Sequence, residues 1–265
     1  MSGFPEVHNP ETDTANRPLV LLHGGNVANW MWEPQVAAFS DRVVLTPDLP
    51  GFGTRVHEDW RGLDAVADDL VARVSDHGVE GPFDLAGLSL GALTALRVSA
   101  RHPDRVHSAF LTGAPLLRSG PATRLIAGLQ LVFWRSPWFW RALATAFGLP
   151  EDARDRYVTH GLSVRRATAS AMFAEVLTGG VPEGLGDYSG PLLVVAGEKE
   201  DAVVRRSLAA LAKAAPRAQP RLAPGMHHIW NVEDVGLFNE VLRAWLDGTV
   251  DPRLLAAPEV RPATA

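Results

Sequence analysis

Two hydrophobic periods alternate along most of this 265-residue chain. Continuous apolar runs lie at 18–22, 42–46, 83–88, 105–112 and 191–197, the length of strands buried on both faces. Between them the period changes. Trp32 to Phe39 reads as a helix. Leu63, Val66, Ala67, Leu70, Val71 and Val74 recur at helical spacing, with Asp64, Asp68, Asp69 and Arg73 on the opposite side. Ala92 to Ala100 is a further helix, halted by His102-Pro103. Val203 to Ala215 reads as a helix, Ala218 to Ala223 as a short strand, and the last helix carries Phe238, Val241, Leu242 and Trp245 on one face. Strands alternating with helices predict right-handed crossovers, hence an α/β fold with a mostly parallel central sheet and helices on both faces.

The alternation stops between residues 116 and 190. That stretch has no strand pattern and holds Trp134, Trp138 and Trp140. It reads as a helical cap insertion laid over one end of the sheet, with the core at 18–115 and 191–250. Residues 1–17, with Pro5 and Pro10, are expected to be weakly ordered, with one short edge strand at most. Residues 251–265, rich in Ala and Pro, are expected to fray.

Composition narrows the function classes. The net charge is −5 and the arginines are scattered, so nucleic acid is not an expected partner. The absence of cysteine removes disulfides, thiolate zinc sites and cysteine nucleophiles. The first residues are neither basic nor followed by an apolar run, so the default expectation is a cytoplasmic protein. The most apolar stretch, 125–149, is interrupted by Arg135, Pro137 and Arg141 and lacks a lysine-rich face. No span and no stable membrane association are expected from it.

The chemistry gathers at strand ends. Phe83 to Leu88 runs into Ser89 and then a helix, with Gly87 and Gly91 on either side of the serine. A serine on so tight a turn needs neighbours without Cβ atoms, and the turn sets its hydroxyl beside the positive end of the helix. Ligands of open parallel sheets sit at the carboxyl ends of the strands. Three other polar clusters fall there: His23-Gly24-Gly25, Glu198-Lys199-Glu200-Asp201 and His227-His228. A serine nucleophile needs a base, and the base needs an orienting carboxylate. The order serine, acid, histidine suits this architecture. No carboxylate or histidine near the His pair has metal-ligand spacing, so no metal is expected.

Six motifs in order resemble those of the α/β-hydrolases: Leu21-Leu22-His23-Gly24-Gly25, Asp48-Leu49-Pro50-Gly51-Phe52-Gly53, Gly87-Leu88-Ser89-Leu90-Gly91, His102-Pro103-Asp104-Arg105-Val106, Gly197-Glu198-Lys199-Glu200 and Pro224-Gly225-Met226-His227-His228. The resemblance covers about residues 18 to 247. It implies Ser89 as nucleophile, His228 as base and Glu200 as acid, with Asp201 the alternative acid. It also implies an oxyanion hole from the backbone N–H groups of Gly25 and Leu90. His23 is expected to orient the loop. His23, Asn26, Trp30, Trp134, Trp138 and Trp230 are candidates for the pocket wall, joined by Trp32, Trp140, Met172 and Phe173, and the set points to an apolar substrate. The antiparallel hairpin that usually precedes the first strand must be shortened to one strand or lost.

The implied function is a serine hydrolase without cofactor or metal, cleaving an ester or thioester of a small apolar carbonyl-containing substrate. Serine rather than aspartate at the elbow argues against haloalkane dehalogenase and epoxide hydrolase chemistry. The alternatives are C–C hydrolysis, lyase chemistry or acyl transfer with the same residues, and a non-catalytic binding protein.

Overall fold

The computed structural model describes residues 4–12, 15–146, 149 and 151–257. Eight strands form one sheet in the order β1-β3-β2-β4-β5-β6-β7-β8. They are β1 (Val7–His8), β2 (Leu19–Leu22), β3 (Val44–Leu45), β4 (Phe83–Leu88), β5 (Val106–Thr112), β6 (Leu192–Gly197), β7 (Ala218–Ala223) and β8 (Leu255–Ala256). The six inner strands pair in parallel, and β1 and β8 are antiparallel edges on β3 and β7. Every residue of β2, β4 and β6 is buried, which is why their runs are apolar throughout. The polar exception, Asp84, accepts a hydrogen bond from the Ser108 hydroxyl at 2.6 Å.

The helices cover both faces. α1 (Glu33–Ala38), α2 (Leu63–Asp76) and α3 (Leu90–Arg101) are the early crossovers. Four helices lie between β5 and β6: α4 (Pro121–Val132), α5 (Pro137–Ala146), α6 (Glu151–Ser163) and α7 (Arg166–Thr178). α8 (Ala202–Ala214), α9 (Trp230–Glu233) and α10 (Val235–Leu246) follow. The buried stripe of α2 is Leu63, Val66, Ala67, Leu70, Val71 and Val74, the six positions picked out by period.

The ends differ from expectation in one respect. β8 lies within the tail expected to fray, because Leu255 and Ala256 pair with Leu222 and Arg221 and cover the edge of β7. Weak order expected at 1–3, 13, 14 and 258–265 lies outside the described residues. At the other edge, among the described residues, β1 alone extends the sheet beyond β3.

Strand order positions the site. From β2 the chain steps one way to β3, then returns past β2 to β4 and continues the other way. The loops after β2 and β4 therefore part at a switch point, and a crevice opens between them.

Candidate active site

Ser89 sits between β4 and α3 with φ 56° and ψ −110°, a left-handed region that costs a serine about 1–3 kcal/mol. The surroundings hold it there. Its N–H donates to the Thr112 carbonyl at 2.9 Å, and its own carbonyl accepts from the Leu93 N–H at 3.0 Å. The flanking glycines are steric necessities. A Cβ on Gly87 would lie 2.5 Å from the Gly91 carbonyl oxygen, and one on Gly91 would lie 2.1 Å from that of Leu22. Backbone meets backbone at both points, so neither clash is relieved by a rotamer.

Two further turns bring in a histidine and a carboxylate. The turn after β6 carries Glu200, which is buried. Its Oε2 accepts from the Gly197 N–H at 2.9 Å, and its Oε1 hydrogen-bonds to Nδ1 of His228. The turn after β7 carries His228 and is fastened to the first: Lys199 N–H donates to the Met226 carbonyl and Gly225 N–H to the Glu198 carboxylate. With its proton on Nδ1 facing Glu200, the His228 ring keeps Nε2 as an acceptor. Such an imidazole can take a proton from a hydroxyl.

The neighbours of these two residues are placed otherwise. Asp201 is exposed, and its Oδ1 accepts from the Val203 N–H at 2.8 Å as the cap of α8. The contact expected of it as alternative acid is made by Glu200. His227 is exposed and bound to Glu233 through both its ring, at 2.7 Å, and its backbone N–H, at 2.8 Å.

The loop after β2 supplies the opposite wall. His23, expected in the pocket, is fully buried behind it. Its Nδ1 lies 2.8 Å from the Gly24 carbonyl and its Nε2 accepts from the Leu49 N–H at 2.9 Å, so the ring props the loop. Burial lowers its pKa, opposed by the charge of Asp48 and the Gly24 carbonyl. Asp48 in turn accepts from Asn29 N–H at 2.9 Å and from Thr54 N–H at 2.8 Å, tying the Asp48–Gly53 turn to the same wall. Gly25 and Leu90 both line the cavity beside Ser89. Leu90 opens α3, where a helix leaves its first N–H groups without intrahelical acceptors.

Two cavities meet at this point. One, of about 620 Å³, runs between the sheet and the helices inserted after β5; Asn26, Trp30, Met172, Phe173, Tyr157 and Arg156 are part of its wall. The other, of about 700 Å³, extends past Pro115, Thr123, Ile126, Lys199 and His227. Both are lined by Ser89, Gln130, Phe173, Val176, His228 and Ile229. Three tryptophans expected in the wall are elsewhere. Trp230 is buried and donates to Thr112 Oγ1 at 2.7 Å under the sheet's end. Trp134 is buried among the inserted helices and donates to the Val164 carbonyl. Trp138 is on the outside, 61 % exposed. Trp32 and Trp140 are core residues as well. Tyr157 and Arg156 escaped sequence reasoning, although a tyrosine in a chain with two of them was a usable signal. Among the described residues no group of three His, Cys, Asp or Glu is placed to hold a metal.

Residues 19–241 match the model of the alpha/beta hydrolase family. The chain belongs to that family. Among curated relatives of this alpha/beta hydrolase, the pimeloyl-[acyl-carrier protein] methyl ester esterase of Legionella pneumophila (strain Paris) is 34 % identical over 90 residues, which is 34 % of each chain. The match thus spans about a third of that relative's length. A bromoperoxidase from Bacillus anthracis superposes with a TM-score of 0.76 at 22 % identity, over 91 % of this hydrolase and 94 % of that chain. A thermophilic esterase from Thermogutta terrifontis gives 0.73 at 23 %, over 89 % and 91 %. At such identities these two likenesses speak to the fold.

Proposed function

We propose that the chain is a serine hydrolase that cleaves an ester or thioester of a small apolar acid through an acyl-enzyme on Ser89. His228 takes the proton from the Ser89 hydroxyl as it attacks the carbonyl, and passes it to the leaving alcohol or thiol. Glu200 fixes the ring and balances the imidazolium. The N–H groups of Gly25 and Leu90 receive the developing oxyanion, each contributing about 3 kcal/mol. Water, activated by the same histidine, then releases the acid. The observation that carries the reading is the convergence of three turns: a strained serine and a histidine in one cavity, the histidine bonded to a buried glutamate. The methyl ester esterase activity named for the Legionella relative is consistent with it.

The test is a panel of p-nitrophenyl esters and thioesters of increasing acyl length, run with the native chain and Ser89→Ala. Turnover of short and medium apolar acyl groups, absent in the variant, is the expected result. No turnover of any member by folded protein would count against ester hydrolysis.

Acyl transfer is the second reading, and the second cavity favours it. The space past Lys199 and His227, in a cavity that Ser89 also lines, can seat an acceptor other than water. Transfer would appear as a new ester when short alcohols are added to the assay.

A further inference from the structure

The helix α4 is inside out. Leu125, Ile126, Leu129, Val132 and Phe133 fall at i, i+1, i+4, i+7 and i+8, the spacing of an amphipathic stripe that normally faces a core. Here the stripe faces outward: Leu125 and Val132 are each 66 % exposed, Ile126 56 % and Leu129 48 %. Trp138, at the start of α5, extends it, its ring packed edge-on against Phe133 with centroids 5.3 Å apart. The helix instead buries Ala127. A contiguous apolar surface of this kind on a monomer marks a contact site.

The charges around it choose the partner. Between Leu116 and Ala146 the chain has Arg118, Arg124, Arg135 and Arg141 and no Asp or Glu, within a protein of net charge −5. All four are exposed. Arg141 has a long ion pair with Asp155 at 3.8 Å, and Arg124 donates to the carbonyls of Ser119 and Leu177. Among the described residues the other two have no ion pair. An apolar helical face bearing Trp and Phe, in a segment whose charged residues are all cations, is suited to the boundary between anionic headgroups and acyl chains. We infer that the α4–α5 face docks reversibly on an anionic lipid surface. Ile126 belongs both to this face and to the wall of the second cavity, which also contains Ser89. An apolar substrate dissolved in the bilayer would therefore enter beside α4. The expectation of no stable membrane association rests on the lack of a lysine-rich face in this segment; its exposed arginines supply cations without lysine. Among the described residues no helix is long and apolar enough to cross a membrane, so the contact is interfacial.

Vesicle flotation tests the inference, with phosphatidylcholine vesicles made with and without phosphatidylglycerol. The native chain is expected to float with the anionic vesicles, less so as salt is raised. Leu125→Asp combined with Val132→Asp is expected to reduce partition at least tenfold. Arg118→Gln and Arg135→Gln should each reduce it about fivefold on anionic vesicles only. Circular dichroism and melting of each variant establish that the fold is retained, as expected for exposed sites. Ser89→Ala should float like the native chain, so the docking is judged independently of the reaction. Native protein that stays with neither vesicle, or a double-aspartate variant that floats as well as native, would overturn the inference. So would a concentration-dependent dimer of the native chain that the same variant dissolves without any vesicle binding, since a second copy would then cover the face.

Discussion

The sheet and the four helices inserted after β5 use hydrophobic residues in opposite ways. In the inner strands of the sheet an apolar residue has one place to go. Backbone pairing fixes which residues lie between the helical layers, and β2, β4 and β6 are buried without exception. In the inserted helices each apolar side chain has three destinations. Trp134 and Trp140 build that segment's own core, Met172 and Phe173 line a cavity, and Leu125 and Trp138 face outward. A strand constrains its side chains to two faces, whereas a short helix turns in place at little cost until its neighbours are known. Placement on the sheet is dictated locally; placement in the insertion is decided by packing.

Substitutions can sharpen that contrast. The largest effect is expected at the sheet ends. Ser89→Ala and His228→Ala should each reduce kcat by about 10⁴–10⁶-fold with melting temperature nearly unchanged, in steady-state assays beside calorimetry. Glu200→Gln should follow at about 10³–10⁴-fold, because the amide leaves the His228 ring free to take the wrong tautomer. If Glu200→Gln retained activity and Asp201→Ala lost it, the assignment of the acid would reverse.

In the insertion the effects should fall on stability. Trp140 is fully buried and donates to the Trp134 carbonyl at 2.7 Å, so Trp140→Ala should destabilise by about 3–5 kcal/mol in urea titration. Trp138→Ala, four-tenths covered at most, should stay within about 0.5 kcal/mol. Equal losses at the two tryptophans would break the contrast.

A third effect lies where the regions touch. His160 on α6 is buried, stacks on Phe52 with centroids 6.3 Å apart, and its Nε2 has no partner among the described residues. Burial, with the nearby His23, pushes its pKa down to about 4 from 6.5, against the opposing pull of Asp48 and the Val27 carbonyl. Between those values the unfolded chain takes a proton that the folded chain refuses. Stability should therefore fall as pH drops from about 6.5 to 4, by up to about 3 kcal/mol from this group. His160→Phe should flatten the decline in a series of melts across that range, and an unchanged slope would clear His160 of the role. A smaller effect is expected at Asp201→Ala, about 1 kcal/mol from a lost helix cap with activity within twofold.

Legibility followed the same divide. The parallel strands, the helix from Leu63 and the turn at Ser89 were readable because period, glycine spacing and strand length all agree there. Only resemblance separates Glu200 from its neighbour in the sequence, and its burial against the His228 ring is a tertiary fact that no local pattern encodes. His23 was expected both to orient its loop and to line the pocket; only position in three dimensions separates those roles. β8 escaped because two residues paired at an edge have no period to detect. The pattern does not tell where Trp134, Trp138 and Trp230 go, because an aromatic residue suits a core, a cavity and a surface contact alike.

If Ser89 is an activated nucleophile, a fluorophosphonate should modify it covalently, and intact mass reads that modification. One adduct is expected on the native chain, none on Ser89→Ala and strongly slowed labelling of His228→Ala. A folded native chain that takes up no probe, or a Ser89→Ala variant labelled as fully as native, would contradict an activated Ser89.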